Sequence, residues 1–155
     1  MNRLLEFYTD GAWSSKSEMG GWAAICVENG DIIDTQSGRE PYSTNNRMEL
    51  TAFLSALENI DTIETGHTKV IIYTDSAYVA NCINQKWYVN WIKNSWRTSD
   101  KKQVKNKKMW LALIGKLEMA NITFRKVKGH NGVELNEFVD KMAVAEVNRL
   151  KALEG

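Results

Sequence analysis

The 155-residue chain has a single proline, Pro41, and no proline- or glycine-rich stretch, so nothing in it reads as an interdomain linker. It has no internal repeat and no low-complexity segment. No apolar run approaches the roughly 20 residues a membrane helix requires. The N-terminus meets charge at Arg3 and Glu6, too soon for a signal peptide. Cysteine is scarce: Cys26 and Cys82 sit among apolar neighbours, match no metal spacing and read as buried free thiols. These absences point to a cytoplasmic protein with no membrane association. No tail reads as a partner-binding peptide, so a monomer without an obligate protein partner is expected. What is present fits one globular domain over residues 1–155, because 43% of the residues are hydrophobic and the length suffices for a full core.

The net charge of +1 conceals an asymmetry. Residues 86–108 carry eight Lys or Arg and one acid, Asp100, for a local charge of +7. Elsewhere 12 bases face 18 acids, for −6. A chain that is acidic over most of its length has gathered its positive charge in one stretch, the footprint of a polyanion-binding patch.

Leu4 to Thr9 reads as a strand. Gly20 to Val27 and Asp31 to Gly38 read as two more, joined at the hairpin signal Glu28-Asn29-Gly30-Asp31. From Asn45 to Ile60, Leu50, Phe53, Leu54, Leu57 and Ile60 recur at helical spacing. The short apolar run Val70-Ile71-Ile72-Tyr73 fits a central strand buried on both faces. Helices are expected over Ala77 to Asn84, in part of the basic stretch and over Lys105 to Met119. Ile122 to Val127 reads as a strand. Leu135 to Leu153 reads as a helix with Val139, Met142, Ala143, Val147 and Leu150 turned inward. This order suggests an α/β fold, a mixed five-stranded sheet flanked by helices.

Four acids stand out by position. Asp10 follows the first strand, Asp75 follows the buried strand, Glu49 lies early in the first long helix, and Asp140 lies in the second turn of the last. If the first and fourth strands are parallel neighbours, Asp10 and Asp75 emerge side by side at the edge where α/β sheets bind ligands. Carboxylates so placed repel one another unless a cation joins them. Oxygen donors without a Cys or His pair favour Mg²⁺ or Mn²⁺ over Zn²⁺. Two such ions about 4 Å apart can hold both the attacking and the leaving oxygen at phosphorus. Taken singly, each acid also has an ordinary explanation as a turn, cap or surface residue.

The contexts of the four acids resemble the type 1 ribonuclease H family. The matching segments are Tyr8-Thr9-Asp10-Gly11-Ala12, Thr44-Asn45-Asn46-Arg47-Met48-Glu49-Leu50, Tyr73-Thr74-Asp75-Ser76, and Val127-Lys128-Gly129-His130 followed by Asn136 and Asp140. They occur in family order from about Leu4 to Ala145. Any one alone is a weak signal, whereas four together are specific. The resemblance implies a ribonuclease H-like fold with sheet order 3-2-1-4-5 and an antiparallel second strand. It implies that Asp10, Glu49, Asp75 and Asp140 bind two Mg²⁺, with Mn²⁺ able to substitute. It implies cleavage of the RNA strand of RNA–DNA hybrids by water, leaving 5′-phosphate and 3′-hydroxyl ends. His130 would assist proton transfer and product departure, a role suited to an imidazole near neutrality. His67 is assigned no role.

Substrate contacts are also implied by the resemblance. Asn45 and Asn46, at a helix start, would meet 2′-hydroxyls in the minor groove. Thr44 and Asn106 would form a phosphate pocket, with Ser99 also along the DNA strand. Residues 86–108 interleave Trp87, Tyr88, Trp91 and Trp96 with cations and resemble the basic handle of bacterial ribonucleases H. Trp87, Lys93, Arg97 and Lys102 are its expected contacts, whereas Trp91, Trp96 and Trp110 are expected in the core. Two positions depart from the pattern of some members: Tyr42 replaces an Arg near the phosphate pocket, and Lys16 replaces an Asn at the minor groove. Contact at Lys16 would then be electrostatic rather than specific. A non-catalytic hybrid-binding module, another nuclease of the same superfold and a ribonuclease H cut from a reverse transcriptase are the alternatives.

Overall fold

The computed structural model describes residues 3–58, 68–98, 101–119, 121–126 and 134–154. The elements run β1 (Arg3–Trp13), β2 (Gly20–Glu28), β3 (Asp31–Glu40), α1 (Asn45–Glu58), β4 (Thr68–Thr74), α2 (Ala77–Asn84), α3 (Trp87–Lys93), α4 (Lys107–Met119), β5 (Asn121–Lys126) and α5 (Glu134–Glu154). The five strands form one sheet in the order β3-β2-β1-β4-β5. β2 is antiparallel to β1 and β3, while β1, β4 and β5 are parallel. Sheet order and strand directions are those implied by the family resemblance. At the β2–β3 turn, Asn29 and Gly30 have φ of 54° and 83°, the left-handed pair that a two-residue hairpin of matching twist requires.

Alternation along β1 divides the interior into two cores. Leu5 and Phe7 face a large cluster containing Leu50, Phe53 and Leu57 of α1, Val70 and Ile72 of β4, and Trp110 and Leu113 of α4. Tyr8 and Ala12 face the other way, against Val139, Met142 and Ala143 of α5. The sheet is thus covered by α1 and α4 on one face and by α5 on the other. Both cysteines are buried, as expected from their neighbours, and neither forms a disulfide.

Two glycines set how closely the helices approach. A Cβ at Gly11 would lie 2.6 Å from the backbone nitrogen of Glu49, and one at Gly21 would strike the carbonyl oxygen of Ala143. α1 and α5, the two helices that carry acids, therefore touch the sheet at residues lacking a side chain. Further along α5, the buried Glu146 carboxylate accepts hydrogen bonds from the Ser37 hydroxyl (3.0 Å), Arg39 Nη1 (3.1 Å) and Arg149 Nη1 (2.8 Å). This network ties α5 to β3.

Three expectations are corrected. β1 does not end at Thr9. It continues to Trp13 because Asp10 to Trp13 pair with Ala23 to Gly20, which places Asp10 inside a strand. The helix expected from Lys105 begins at Lys107, since Asn106 has φ of 61° and cannot lie in a right-handed helix. Trp91 and Trp96 are half-buried against the core instead of within it, although Trp110 is fully buried as expected. Ile60, His67 and Val127 lie outside the described residues.

Candidate active site

The site forms where β1 outruns β4. The last β1–β4 pair is Tyr8 with Tyr73, so beyond it Asp10 keeps only its β2 neighbour. Asp75 follows the last residue of β4, Thr74. Ser76 next to it caps α2, accepting a 3.3 Å hydrogen bond from the Val79 N–H and turning the chain away from the acids. Glu49 lies in the second turn of α1, over Gly11. Asp140 lies in the second turn of α5, on the opposite face of the sheet.

The structure brings the four acids together. Asp10, Glu49 and Asp75 each offer a carboxylate oxygen, and the three atoms lie within 4.8 Å of one another. Asp140 joins the other three around a cavity of about 390 Å³. Asn45, Asn46 and Ser76 line the same cavity. Ser76 belongs to the Tyr73-Thr74-Asp75-Ser76 segment but carries no site role in the sequence reading, and Ala77 carries no signal there, although an Asp-Ser pair ahead of an apolar helix is a recognisable cap signal.

The electrostatics follow from burial and crowding. Burial pushes the Asp10 carboxyl up to about 10, helped by its hydrogen bond with Asp140 and by the charges of Glu49, Asp75 and Asp140. Glu49 is pushed up to about 8 by burial and the Asp75 charge, partly offset by hydrogen bonds from the Gly11 N–H and the Asp10 side chain. Glu49 Oε2 is buried and has no hydrogen-bond partner among the described residues. An unsatisfied buried carboxylate oxygen facing other carboxylates suits a cation. The oxygen-only donor set fits a hard divalent ion such as Mg²⁺ or Mn²⁺.

A second cavity, of about 470 Å³, adjoins the first, with Asn46 lining both. Thr44, Trp87, Lys102 and Asn106, all singled out in the sequence, line it. So do Trp91, which the sequence assigns to the core, and Thr98, Gln103, Val104 and Lys105, which carry no signal beyond membership of a basic, aromatic stretch. Thr44 also caps α1, its hydroxyl accepting the Arg47 N–H at 3.2 Å. Trp87 and Arg97 line a neighbouring cavity of about 310 Å³. Lys93 is exposed and lines none of these described cavities, and Lys16 lines a separate one near α5. His130 and Ser99 lie outside the described residues. Asn136, one turn before Asp140, is buried, and its Oδ1 has no partner among the described residues.

The ribonuclease H family model matches residues 2–148. The ribonuclease H of Caldicellulosiruptor saccharolyticus is 42% identical over 144 residues, covering 93% of this chain and 96% of that protein. That of Neorickettsia sennetsu is 44% identical over 139 residues, covering 90% and 89%. Among solved structures, LC9-RNase H1, a type 1 RNase H with the type 2 active-site motif, superposes with a TM-score of 0.81 at 24% identity, covering 96% of this chain and 74% of that one. LC11-RNase H1 in complex with an RNA/DNA hybrid gives 0.73 at 17% identity, covering 94% and 98%. The chain belongs to the ribonuclease H family and is a ribonuclease H enzyme.

Proposed function

We propose that this enzyme is an endonuclease that hydrolyses the RNA strand of RNA–DNA hybrids with two Mg²⁺, leaving 5′-phosphate and 3′-hydroxyl ends. The observation that carries this reading is the packing of Asp10, Glu49 and Asp75 within 4.8 Å, with a buried Glu49 oxygen lacking a partner among the described residues. Asp10, Glu49, Asp75 and Asp140 would hold the ions. When bound, such ions activate water and neutralise charge at the attacking and leaving oxygens. Mn²⁺ would substitute, having similar oxygen preferences.

The protein's own groups bind and orient. Asn45 and Asn46 place amide donors and acceptors beside the acid cavity, where the 2′-hydroxyls of the RNA strand would identify it. Thr44 and Asn106 would take a DNA phosphate in the adjoining cavity, with Lys102 supplying charge and Trp87 a flat apolar surface. Tyr42 is 78% exposed and brings no cation to that pocket, so its phosphate would be neutralised mainly by Lys102 and Lys105. Arg97, Lys93 and Ser99 would extend the contact along the DNA strand. His130 would carry a proton near the reacting phosphate. Water attacks phosphorus, the bond to the 3′-oxygen breaks, and that oxygen leaves with a proton.

The proposed setting is a cytoplasmic monomer of one domain without an obligate protein partner. No helix among the described residues is long and apolar enough to cross a membrane. The deciding experiment is cleavage of a short labelled RNA–DNA hybrid with and without Mg²⁺, beside the same RNA in single- and double-stranded form. Metal-dependent cutting of the hybrid alone is expected. Binding without cutting would mean a non-catalytic hybrid-binding module, and preference for branched DNA would mean a different nuclease of this superfold.

A further inference from the structure

Apart from the acid cluster and the handle, a concavity of about 410 Å³ lies between the β1–β2 connection and the outer surface of α5. Ser14, Ser15 and Lys16 line it from the connection, Asn148 and Lys151 line it from α5, and Trp13 forms one wall. No acid lines it. Outside residues 86–108 the chain carries a net −6, so an acid-free hollow with two ammonium groups departs from its surroundings. Neither lysine forms an ion pair with a described residue.

Both walls are held. The Ser14 N–H donates to the Met19 carbonyl (3.0 Å), the Glu18 N–H to Ser14 (2.7 Å), and the Ser43 N–H to Glu18 (2.8 Å). These bonds close the connection on itself and fasten it to the segment ahead of α1. The α5 wall is anchored through Glu146 to Ser37 and Arg39. The hollow is therefore preorganised, which lowers the ordering cost of binding.

Its position relates it to the acids. Lys151 is eleven residues beyond Asp140 on α5, about 16 Å along the helix, and Trp13 is three residues beyond Asp10 on β1, about 10 Å along the strand. The handle cavity shares Asn46 with the acid cavity, whereas this hollow shares no residue with it and lies beside α5, the helix that packs on the other face of the sheet. We propose that the hollow seats a backbone phosphate of the nucleic-acid substrate, about four to five nucleotides from the cleaved bond, so that the duplex is gripped on both sides of the acid cluster. The proposal rests on the hybrid-cleaving reading above and adds a second anchor to it. Two ammonium groups offer charge-assisted hydrogen bonds, the serine hydroxyls and Asn148 amide fill the remaining acceptor positions, and the Trp13 indole lies where a sugar would pass.

The test is equilibrium binding of a labelled RNA–DNA hybrid, long enough to reach both anchors, in EDTA over a range of KCl concentrations. Lys151→Gln should flatten the slope of log Kd against log salt by nearly one unit, and Lys16→Gln with Lys151→Gln by nearly two, with affinity falling several-fold to tens-fold. Lys69→Gln, an exposed lysine near the start of β4, should leave the slope in place. Lys102→Gln in the handle should flatten it. A double variant with the wild-type slope, while Lys102→Gln flattens it, would remove the hollow from the substrate path and leave the hybrid reading standing. A wild-type protein that binds no hybrid would overturn both.

Discussion

The rings of Tyr8 and Tyr73 stack with centroids 4.7 Å apart and planes 17° from parallel, and each tyrosine stands two residues before an acid of the site. They face each other across the parallel β1–β4 pair. The Tyr73 hydroxyl donates to Glu6 at 2.8 Å. Burial and that hydrogen bond push the Tyr73 phenol up to about 12, so the hydroxyl remains a donor across the working range. The stack props the last shared pair of the two strands, from which Asp10 and Asp75 project.

Tyr73→Ala should therefore raise the Mg²⁺ concentration needed for half-maximal rate several-fold, because the two strand ends lose their common support. Tyr73→Phe keeps the ring and should cost only about 1 kcal/mol of stability through the lost hydrogen bond. Its metal requirement should stay near wild type. Initial rates over a Mg²⁺ series, with urea melts of each variant, check this. An unchanged Mg²⁺ midpoint in Tyr73→Ala would show that the stack serves stability alone.

The protons held at Asp10 and Glu49 give a signed dependence on pH. Both groups titrate higher in the folded protein than in the unfolded chain, with folded values of about 10 and about 8. Above the unfolded carboxylate range the folded state holds more protons, so stability is greatest below about pH 4 and declines as pH rises through the folded values. Asp10→Asn removes the most perturbed group with little change of shape. It should stabilise the metal-free protein at pH 7 by something on the order of 1 kcal/mol. The gain should shrink at about pH 4, where the unfolded chain also takes up protons at these carboxyls, and in Mg²⁺, which stabilises wild type preferentially. Binding of Mg²⁺ at pH 7 should release about one to two protons, measured by calorimetry in buffers of different ionisation enthalpy. Metal uptake without proton release would contradict the raised values. The variant should lose cleavage while keeping hybrid affinity.

Gly11→Ala tests how Glu49 is placed. The added methyl would meet the backbone of Met48 and Glu49, which cannot rotate aside. α1 must shift, at a cost of about 1–3 kcal/mol typical of overpacking. The shift also moves Glu49 off the other acids, so the rate should fall far more than the melting temperature suggests. A variant with wild-type kcat would mean that the site tolerates displacement of α1.

How much of this could be read from residues alone differed by element. The central strand was legible because Val70-Ile71-Ile72 is apolar without alternation, and the β2–β3 turn because Asn-Gly admits left-handed backbone. The length of β1 was not, since Asp10-Gly11 looks like a turn until pairing with Gly20 to Ala23 holds it extended. The grouping of the four acids was expected from their motifs and strand-end positions, and the structure brings them to one cavity. The lining by Val104 and Gln103 was not legible, because it depends on an Arg97–Gln103 bridge within a stretch lacking periodicity. Glu146 looked like any helix acid. Its burial depends on Gly21 and on two β3 residues more than 100 positions away in sequence.

The handle should act on binding rather than on the chemical step. Changing Lys101, Lys102 and Lys105 together to Ala should raise KM far more than it lowers kcat, since none lies in the acid cavity. The salt slope of hybrid binding should flatten by up to about one unit per lost phosphate contact. A triple variant with the wild-type slope would reduce these lysines to solvated surface.

The bond network at Glu146 turns α5 into a lever. Asp140 and Glu146 sit on one rigid rod about 9 Å apart, with contact against Gly21 between them. Clamping the rod at β3 sets its angle over the sheet, and that angle determines where Asp140 meets Asp10. An edge strand remote from the acids thereby helps aim one of them. Loosening Ser37 or Arg39 would be felt at Asp140 as misalignment rather than as local damage, so variation along β3 can alter turnover without touching substrate.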